Sequence, residues 1–442
     1  MHHPQNAADI VVIGGGPAGM AAAIAAAREL QKSGQKGRVL LLEQGPRVGK
    51  KLLSTGNGRC NLTNRSISAK NYHSSGAVAA GRLAQRFDAR YIENFFASLG
   101  LICRTESEGR VYPYCGQASA VLDALRLELD RLGVECRTGC RVSGLQTKRG
   151  GFFVTTSEPP LFCRRLIVAA GGRAAPSSGS DGSLFPLLKK LGHSCTPLFP
   201  ALGPVKTDPN LTRPLKGLRC VGQVSFIAGK RAVRRESGEI QFGDQGLSGI
   251  CLFQLSRLAG EFITQKTAGG APCPQAAVSL DLAPEYTSMQ LTAVLQRQAR
   301  IRGALPCGEL FTGFLAKRIG QTLCKLAGLP LTRPCQQLAE GDIVRLAGLV
   351  KDWRFPITGV CSFDNAQVTA GGLPAAEFCF ETLASRRVPH LYAAGEVLDV
   401  DGDCGGYNLH WAWISGLLAG QSAAQSLFSH QTSKEERYDS RV

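Results

Sequence analysis

The sequence predicts an α/β protein whose Rossmann-type domain is laid down in two segments of chain, with an α+β domain inserted between them. Three observations carry this. The chain opens on an apolar run, a glycine-rich turn and an alanine-rich stretch ("DIVVIGGGPAGMAAAIAAARELQKSG"). The pattern changes near Pro197, where strand-like and helical stretches alternate between Pro and Gly breaks, and the opening pattern returns near residue 342. The closing segment, "PHLYAAGEVLDVDGDCGGYNLHWAWISGLLAG", again reads strand, glycine-rich loop, long helix. The expected division is 1–196 and 342–442 for the two segments and 197–341 for the insert.

Each element follows from its residues. Ile10 to Ile13 form a short apolar run of strand type, and Pro17 suits an early helical position, where its missing N–H costs nothing. The alanines after it favour helix. "RVLLLEQ" (38–44) supplies a second strand and completes a βαβ unit. Residues 109–145 give a turn, an amphipathic helix and a short strand, and 164–183 a buried strand ending in glycines. Along the last helix Leu409, Ala412, Trp413, Gly416, Leu417 and Gly420 recur at helical spacing and bury one face.

Composition excludes several classes. The chain has 442 residues, 44% of them hydrophobic, enough for two or three domains with sizeable cores. No run of eighteen apolar residues and no basic segment with a cleavage site appear, so neither a membrane span nor a signal peptide is expected, and the protein is read as cytoplasmic. The 16 cysteines are scattered without a C-x-x-C pair, which argues against a zinc site or a disulfide framework. His2 and His3 are terminal and imply no metal site. The net charge of +17 raises a polyanionic partner, but the basic clusters "KRAVRR" (230–235) and "RIR" (300–302) are short and no aromatic interleaves with them. A basic surface that favours phosphate-bearing small molecules is the simpler reading.

The opening turn carries chemistry. Gly14-x-Gly16-x-x-Gly19 follows a strand, opens a helix and is followed by an acid, Glu43, at the end of the second strand, which is the context a dinucleotide fingerprint requires. Gly14 permits the tight turn, Gly16 lets a pyrophosphate approach the backbone beside Pro17 and Ala18, and Gly19 lets helix and strand pack closely. Glu43 suits a ribose hydroxyl. The second glycine-rich element implies a cofactor held from both ends, so FAD fits better than NAD as the resident, non-covalent cofactor. Gly395, Glu396, Asp399 and Asp401 lead through Gly405-Gly406 to a helix N-terminus at Tyr407 and Asn408, whose N–H groups stabilise the negative charge of reduced flavin.

The motifs "VVIGGGPAGMAAA", "GKKLLSTGNGRCNLTN", "GEIQFGDQGLSG", "VTAGG" and "GEVLDVDGDCGGYNLHWAWISG" resemble those of the HI0933-like bacterial flavoproteins over about residues 9–425. That group includes aminoacetone oxidase-like enzymes and 3-dehydro-bile-acid Δ4,6-reductases. The resemblance implies a two-part FAD domain and makes residues 50–64 the flavin-contacting loop. There Lys51 and Arg59 would neutralise phosphates, Ser54, Gly56, Asn57 and Gly58 would line the cofactor, and Asn61 would bond the flavin edge or substrate. It also implies contacts from Val142 to adenine and from Ala170-Gly171-Gly172 and Gly372. Asn57 stands where glycine is usual, and His410 where glutamine is.

The implied function is an FAD-dependent oxidoreductase of a small organic substrate. An NAD(P)H-linked reductase of a conjugated C=C bond is favoured, with NAD(P)H a transient donor that enters the substrate cleft. An amine oxidase using O2 is the alternative, and an FAD-containing tRNA-modifying protein a lesser one. Tyr407 and His410 are the expected proton donors, and the insert is expected to select the substrate. No oligomeric state follows.

Overall fold

The computed structural model describes residues 6–268 and 276–428; His2, His3 and the polar tail from Ser429 lie outside them. The first segment of chain carries β1 (Ala7–Ile13), α1 (Pro17–Lys32), β2 (Val39–Leu42), β3 (Thr63–Asn64), β4 (Tyr72–His73), β5 (Cys103–Thr105), β6 (Arg110–Pro113), α2 (Ala118–Arg131), β7 (Glu135–Arg137), β8 (Val142–Lys148), β9 (Gly151–Thr156) and β10 (Leu161–Val168). The middle of the chain carries β11 (Val205–Thr207), β12 (Arg219–Ala228), β13 (Arg231–Phe242), β14 (Gly246–Ser248), α3 (Ile250–Ala268), β15 (Ala276–Asp281), α4 (Ser288–Arg302), α5 (Lys317–Leu326), α6 (Glu340–Lys351) and β16 (Trp353–Val360). The return segment adds β17 (Leu391–Ala393), β18 (Asp401–Gly402) and α7 (Tyr407–Gln425).

Two compact units result, residues 1–199 with 367–442, and residues 200–366. The second boundary lies at 366 rather than at 341, where the sequence pattern changes. Residues 342–366 belong to the middle unit because β16 closes its sheet: the six strands form a barrel in the order β11-β14-β13-β12-β15-β16, with Val205 paired to Val360. Phe242, Trp353 and Phe355 fill its interior, with ring centroids 4.8 Å apart for the Trp353–Phe355 pair.

In the first unit, β7, β2, β1, β10 and β17 run parallel. β10 forks: its C-terminal half pairs with β17, while its N-terminal half pairs antiparallel with β9, which pairs with β8. Every residue of β1 is buried, as a central parallel strand covered on both faces should be. Small antiparallel pairings link β3, β6 and β5, and β4 with β18.

The packing of α1 against α7 decides where the loops fall. A Cβ at Gly416 would lie 2.3 Å from the Ala18 carbonyl oxygen, and one at Gly420 would lie 2.1 Å from that of Ala22. Residues 18 and 22 therefore face 416 and 420 in the same order, so the helices run parallel and their N-termini point the same way. Counting back from the Ala18–Gly416 level, α7 begins about eight residues, or roughly 12 Å, beyond the start of α1. Replacing Gly420 by Ala should lower stability by about 1–3 kcal/mol, since overpacking must part the backbones. Thermal denaturation, with Gly341→Ala, which meets nothing within 4 Å and has no positive φ, as control, checks this; an unchanged Tm for Gly420→Ala would contradict the close contact.

Candidate functional site

At the C-terminal ends of β1 and β10, the three fingerprint glycines do three different things. Gly14 has φ +107°, and a Cβ there would lie 2.4 Å from the Ala169 carbonyl and 2.9 Å from Ala170. A Cβ at Gly19 would lie 1.8 Å from the Gly14 carbonyl, so α1 and its turn touch backbone to backbone. At Gly16 a Cβ would meet nothing within 4 Å: the backbone there borders open space at the N-terminus of α1. Glu43, at the end of β2, accepts hydrogen bonds from the Gly15 N–H (2.8 Å) and the Gly45 N–H (2.6 Å), which hold its carboxylate beside this turn. Cys140 donates its backbone N–H to the Glu43 carbonyl, which places the start of β8, with buried Val142, next to the acid.

The second helix N-terminus meets the 50–64 loop. Gly406, with φ +101°, precedes α7, and a Cβ there would lie 2.9 Å from Asn61 Oδ1 and 2.7 Å from the Thr63 carbonyl. Asn61 is 8% exposed and its Oδ1 has no hydrogen-bond partner. The Asn64 amide donates to the Gly405 carbonyl at 2.9 Å, and Trp413 Nε1 to that of Leu62 at 3.1 Å, so the loop is fastened to α7. Gly56 and Asn57 both sit at φ +56°. Asn tolerates that left-handed conformation better than most residues, which accounts for its place where glycine is usual. Ser54 donates to the Lys51 carbonyl within its own turn, and Asn57 and Gly58 are exposed.

Between the two helix N-termini lie the remaining candidates. Gly395 backs onto α1, where its Cβ would be 2.8 Å from Ala18 Cβ, and its carbonyl accepts from Trp411 Nε1. Gly172 borders Thr369 and Glu396, at 2.4 and 2.8 Å from its Cβ position. Gly171 borders Ser180, whose buried hydroxyl has no partner. Gly372 lies against the Val397–Asp399 backbone, and Asn408 ties off Gly402 through both its amide atoms. Thr369, Ser180, Thr63 and Tyr112 were missed by sequence reading; Thr369 and Thr63 had a signal, their places in "VTAGG" and "GKKLLSTGNGRCNLTN".

Several side chains are not arranged as the sequence suggests. Lys51 pairs with Glu396 at 2.9 Å, and Arg59 pairs with Glu106 at 2.5 Å while its guanidinium lies 4.2 Å over the Tyr112 ring. Both cations are thus engaged with the protein rather than with open space. Asp401 accepts from the Ser74 hydroxyl. His410 is a correction: it is fully buried, its Nδ1 lies 2.8 Å from Thr63 Oγ1, and burial pushes its pKa down to about 3. A neutral, enclosed imidazole donates no proton to a substrate. Tyr407 is different, since burial and then the neighbouring Asp403 raise its pKa and keep the phenol protonated. Burial likewise pushes the Cys60 thiol up to about 12 and raises that of Cys404, the opposite of an activated thiolate. Among the described residues no three His, Cys, Asp or Glu side chains are placed to hold a metal.

These residues fit an extended dinucleotide: an open glycine turn at one helix N-terminus, and an unpartnered buried acceptor with close backbone glycines at a second one pointing the same way. Comparison with known proteins bears on which one. The family described as the HI0933-like protein Rossmann domain matches residues 8–422. The chain belongs to this flavoprotein oxidoreductase family. It is 36% identical over 416 residues, 94% of this chain and 99% of the relative, to the 3-dehydro-bile acid delta(4,6)-reductase of Clostridium scindens. It is 29% identical over 418 residues, 93% of this chain and 97% of the relative, to the ribosomal RNA dihydrouridine synthase of Escherichia coli. The fold is shared with 3-ketosteroid delta1-dehydrogenase from Sterolibacterium denitrificans, at TM-score 0.50 and 13% identity, covering 96% of this chain and 100% of that one. As a member of the HI0933-like family the protein is an FAD-dependent oxidoreductase. No described helix is long and apolar enough to cross a membrane.

Two substitutions separate site from scaffold. Gly16→Val adds its side chain to open space, so it should keep the Tm of wild-type apoprotein yet lose the flavin absorption of the purified protein; retained FAD would contradict the placement. His410→Gln tests the buried imidazole. Its folded pKa, about 3, lies below the ordinary 6.5, so the unfolded chain binds the proton more readily. Stability is therefore lost as pH falls below 6.5, at up to about 1.4 kcal/mol per unit until pH 3. The glutamine variant should lose less stability between pH 7 and pH 4 in denaturant titrations.

Proposed function

We propose that the protein reduces a carbon–carbon double bond conjugated to a carbonyl, with a small enone of steroid type as substrate and NAD(P)H as electron donor. One observation carries this reading. The two relatives named above, each matched over more than nine-tenths of its length, both bear names for saturating such a bond. The dienone of a 3-oxo-Δ4,6 steroid and the 5,6 bond of uracil are both alkenes conjugated to a carbonyl.

The reaction needs a hydride at the β-carbon and a proton at the α-carbon. Bound FAD would supply the hydride once reduced. The protein's part is to hold and orient. Gly14 to Gly19 and the α1 N-terminus would take the pyrophosphate, Glu43 a ribose, and Asn61 with the α7 N-terminus the polar edge of the ring system. Lys51, held by Glu396, would lie alongside as a fixed charge pair. Tyr407, protonated and only 8% exposed in the first turn of α7, is the residue best suited to give the proton.

A second reading has its own observation. Charge and aromatics do interleave, though not along the sequence: Arg59 lies over Tyr112, Arg104 lies 5.7 Å from the exposed Tyr114 ring, and Glu106 bridges both arginines. With the net charge of +17, this favours an RNA uracil as the alternative acceptor.

Anaerobic mixing with NADH and then NADPH should bleach the oxidised-flavin band, and a 3-oxo-4,6-dienoic steroid should restore it. Bleaching without recovery on steroid, but with recovery on ribosomal RNA in a salt-sensitive manner, would move the assignment to the second reading. Failure of both donors, with bleaching by an aminoketone instead, would overturn the reductase in favour of an amine oxidase.

A further inference from the structure

We infer that one face of the β3-β6-β5 sheet is a substrate subsite for a carboxylate carried on an apolar ring system, with Arg104 as the residue that reads the acid; the inference rests on the reading that the substrate is a small conjugated enone.

Alternation along two short strands builds this face. Arg104 on β5 stands opposite Tyr112 on β6. The ladder runs on at both ends, with the Tyr114 N–H donating to the Ile102 carbonyl and the Glu106 N–H to the Arg110 carbonyl, each at 2.8 Å. Residues two apart on a strand share a face, so Ile102, Arg104 and Glu106 lie beside Tyr114, Tyr112 and Arg110. Asn64 on β3, opposite Arg110, continues it. Arg59 reaches the same face from the 50–64 loop, its guanidinium 4.2 Å over the Tyr112 ring.

One end of the face abuts the site and the other meets water. At the inner end, Tyr112 Cε1 lies 3.4 Å from where a Gly56 Cβ would stand, and the Asn61 backbone nitrogen lies 3.0 Å from the same point. The Asn64 amide donates to the Gly405 carbonyl at 2.9 Å, and the Tyr407 ring comes within 3.2 Å of the Gly405 Cβ position. The face is thus continuous with Asn61 and with the first turn of α7. Tyr112 is 8% exposed, whereas farther out the Arg104 side chain is 45% exposed, Tyr114 64% and Ile102 72%.

Charge and shape select the occupant. Arg59, Arg104 and Arg110 gather here against two glutamates. Arg110 pairs with Glu108, and Glu106 holds Arg59 at 2.5 Å and Arg104 at 3.1 Å on the same oxygen, Oε1. One positive charge is left over, and Arg104, with the longer contact through Nη2 and the more exposed side chain, carries it. A guanidinium presents five N–H donors in a fork that matches a carboxylate, so Arg104 can take a second acid while keeping Glu106. Tyr114, whose ring centroid is 5.7 Å from the Arg104 guanidinium, and Ile102 add exposed apolar surface beside it. A single carboxylate on a rigid hydrocarbon body meets both demands. An RNA strand does not, since it brings a row of phosphates to one surplus cation.

The test is calorimetric and independent of turnover. Oxidised holoenzyme is titrated with a 3-oxo-4,6-diene steroid bearing a side-chain carboxylate, and with the methyl ester of that acid. The acid should bind about 10-fold more tightly, the scale of one charge-assisted contact. Arg104→Gln should bring that ratio near one, Arg104→Lys should keep part of it, and Arg104→Glu should invert it. Tyr114→Ala should weaken acid and ester alike. Equal binding of acid and ester by the wild type, binding of neither, or an Arg104→Gln loss that the ester shares in full would overturn the subsite. So would reoxidation of dithionite-reduced enzyme by ribosomal RNA with a salt slope that Arg104→Gln lowers, since that gives the face to RNA. The reductase reading has its own arm. If the acid binds with the stated preference but does not reoxidise the reduced flavin, that reading fails while the subsite stands.

Discussion

The contact on which the rest of the first unit depends is the bare-backbone packing of α7 on α1. Gly416 and Gly420 on one helix and Ala18 and Ala22 on the other allow carbonyl-to-Cα approach that no larger residue permits. That contact sets the two N-termini parallel and staggers them by about 12 Å. The same helix then anchors what surrounds it. Trp411 bonds the Gly395 carbonyl, Ser415 accepts from the Gly395 N–H, and Trp413 bonds the Leu62 carbonyl. One helix thereby fixes the end of β17, the glycine turn behind it and the 50–64 loop.

A consequence concerns how negative charge is met. The nearby side-chain cations are already satisfied, Lys51 by Glu396 and Arg59 by Glu106. What the site leaves open toward an anion is backbone, the N-terminus of α1 at Gly16, while the lone Asn61 oxygen is an acceptor suited to a ligand N–H. Helix N-termini stabilise phosphate and developing flavin charge without a side chain that must be desolvated. The scaffold thus holds charge by dipoles placed in advance.

Legibility followed locality. The β1–turn–α1 unit and α7 could be read directly, because each is a short contiguous pattern whose glycines have roles fixed by φ and by contact distance. Asn57 could be read as a departure but not explained until its φ was known. The end of the insert was misplaced because β16 belongs to the barrel by pairing with β11, a relation between residues about 150 apart that local composition does not record. His410 lies one turn on from Tyr407 along the same helix, but its side chain is fully enclosed against Thr63, a contact that spacing does not record. The Arg59–Tyr112 contact joins segments far apart in sequence, and nothing in composition or spacing marks it.

The central claim is that two staggered helix N-termini hold one extended dinucleotide. Denaturing the purified protein and identifying the released chromophore by chromatography and mass tests it directly. The expected result is one FAD per chain, released without a covalent link. Release of FMN, or of no flavin, would contradict the account, because neither would need the second N-terminus where this chain places it.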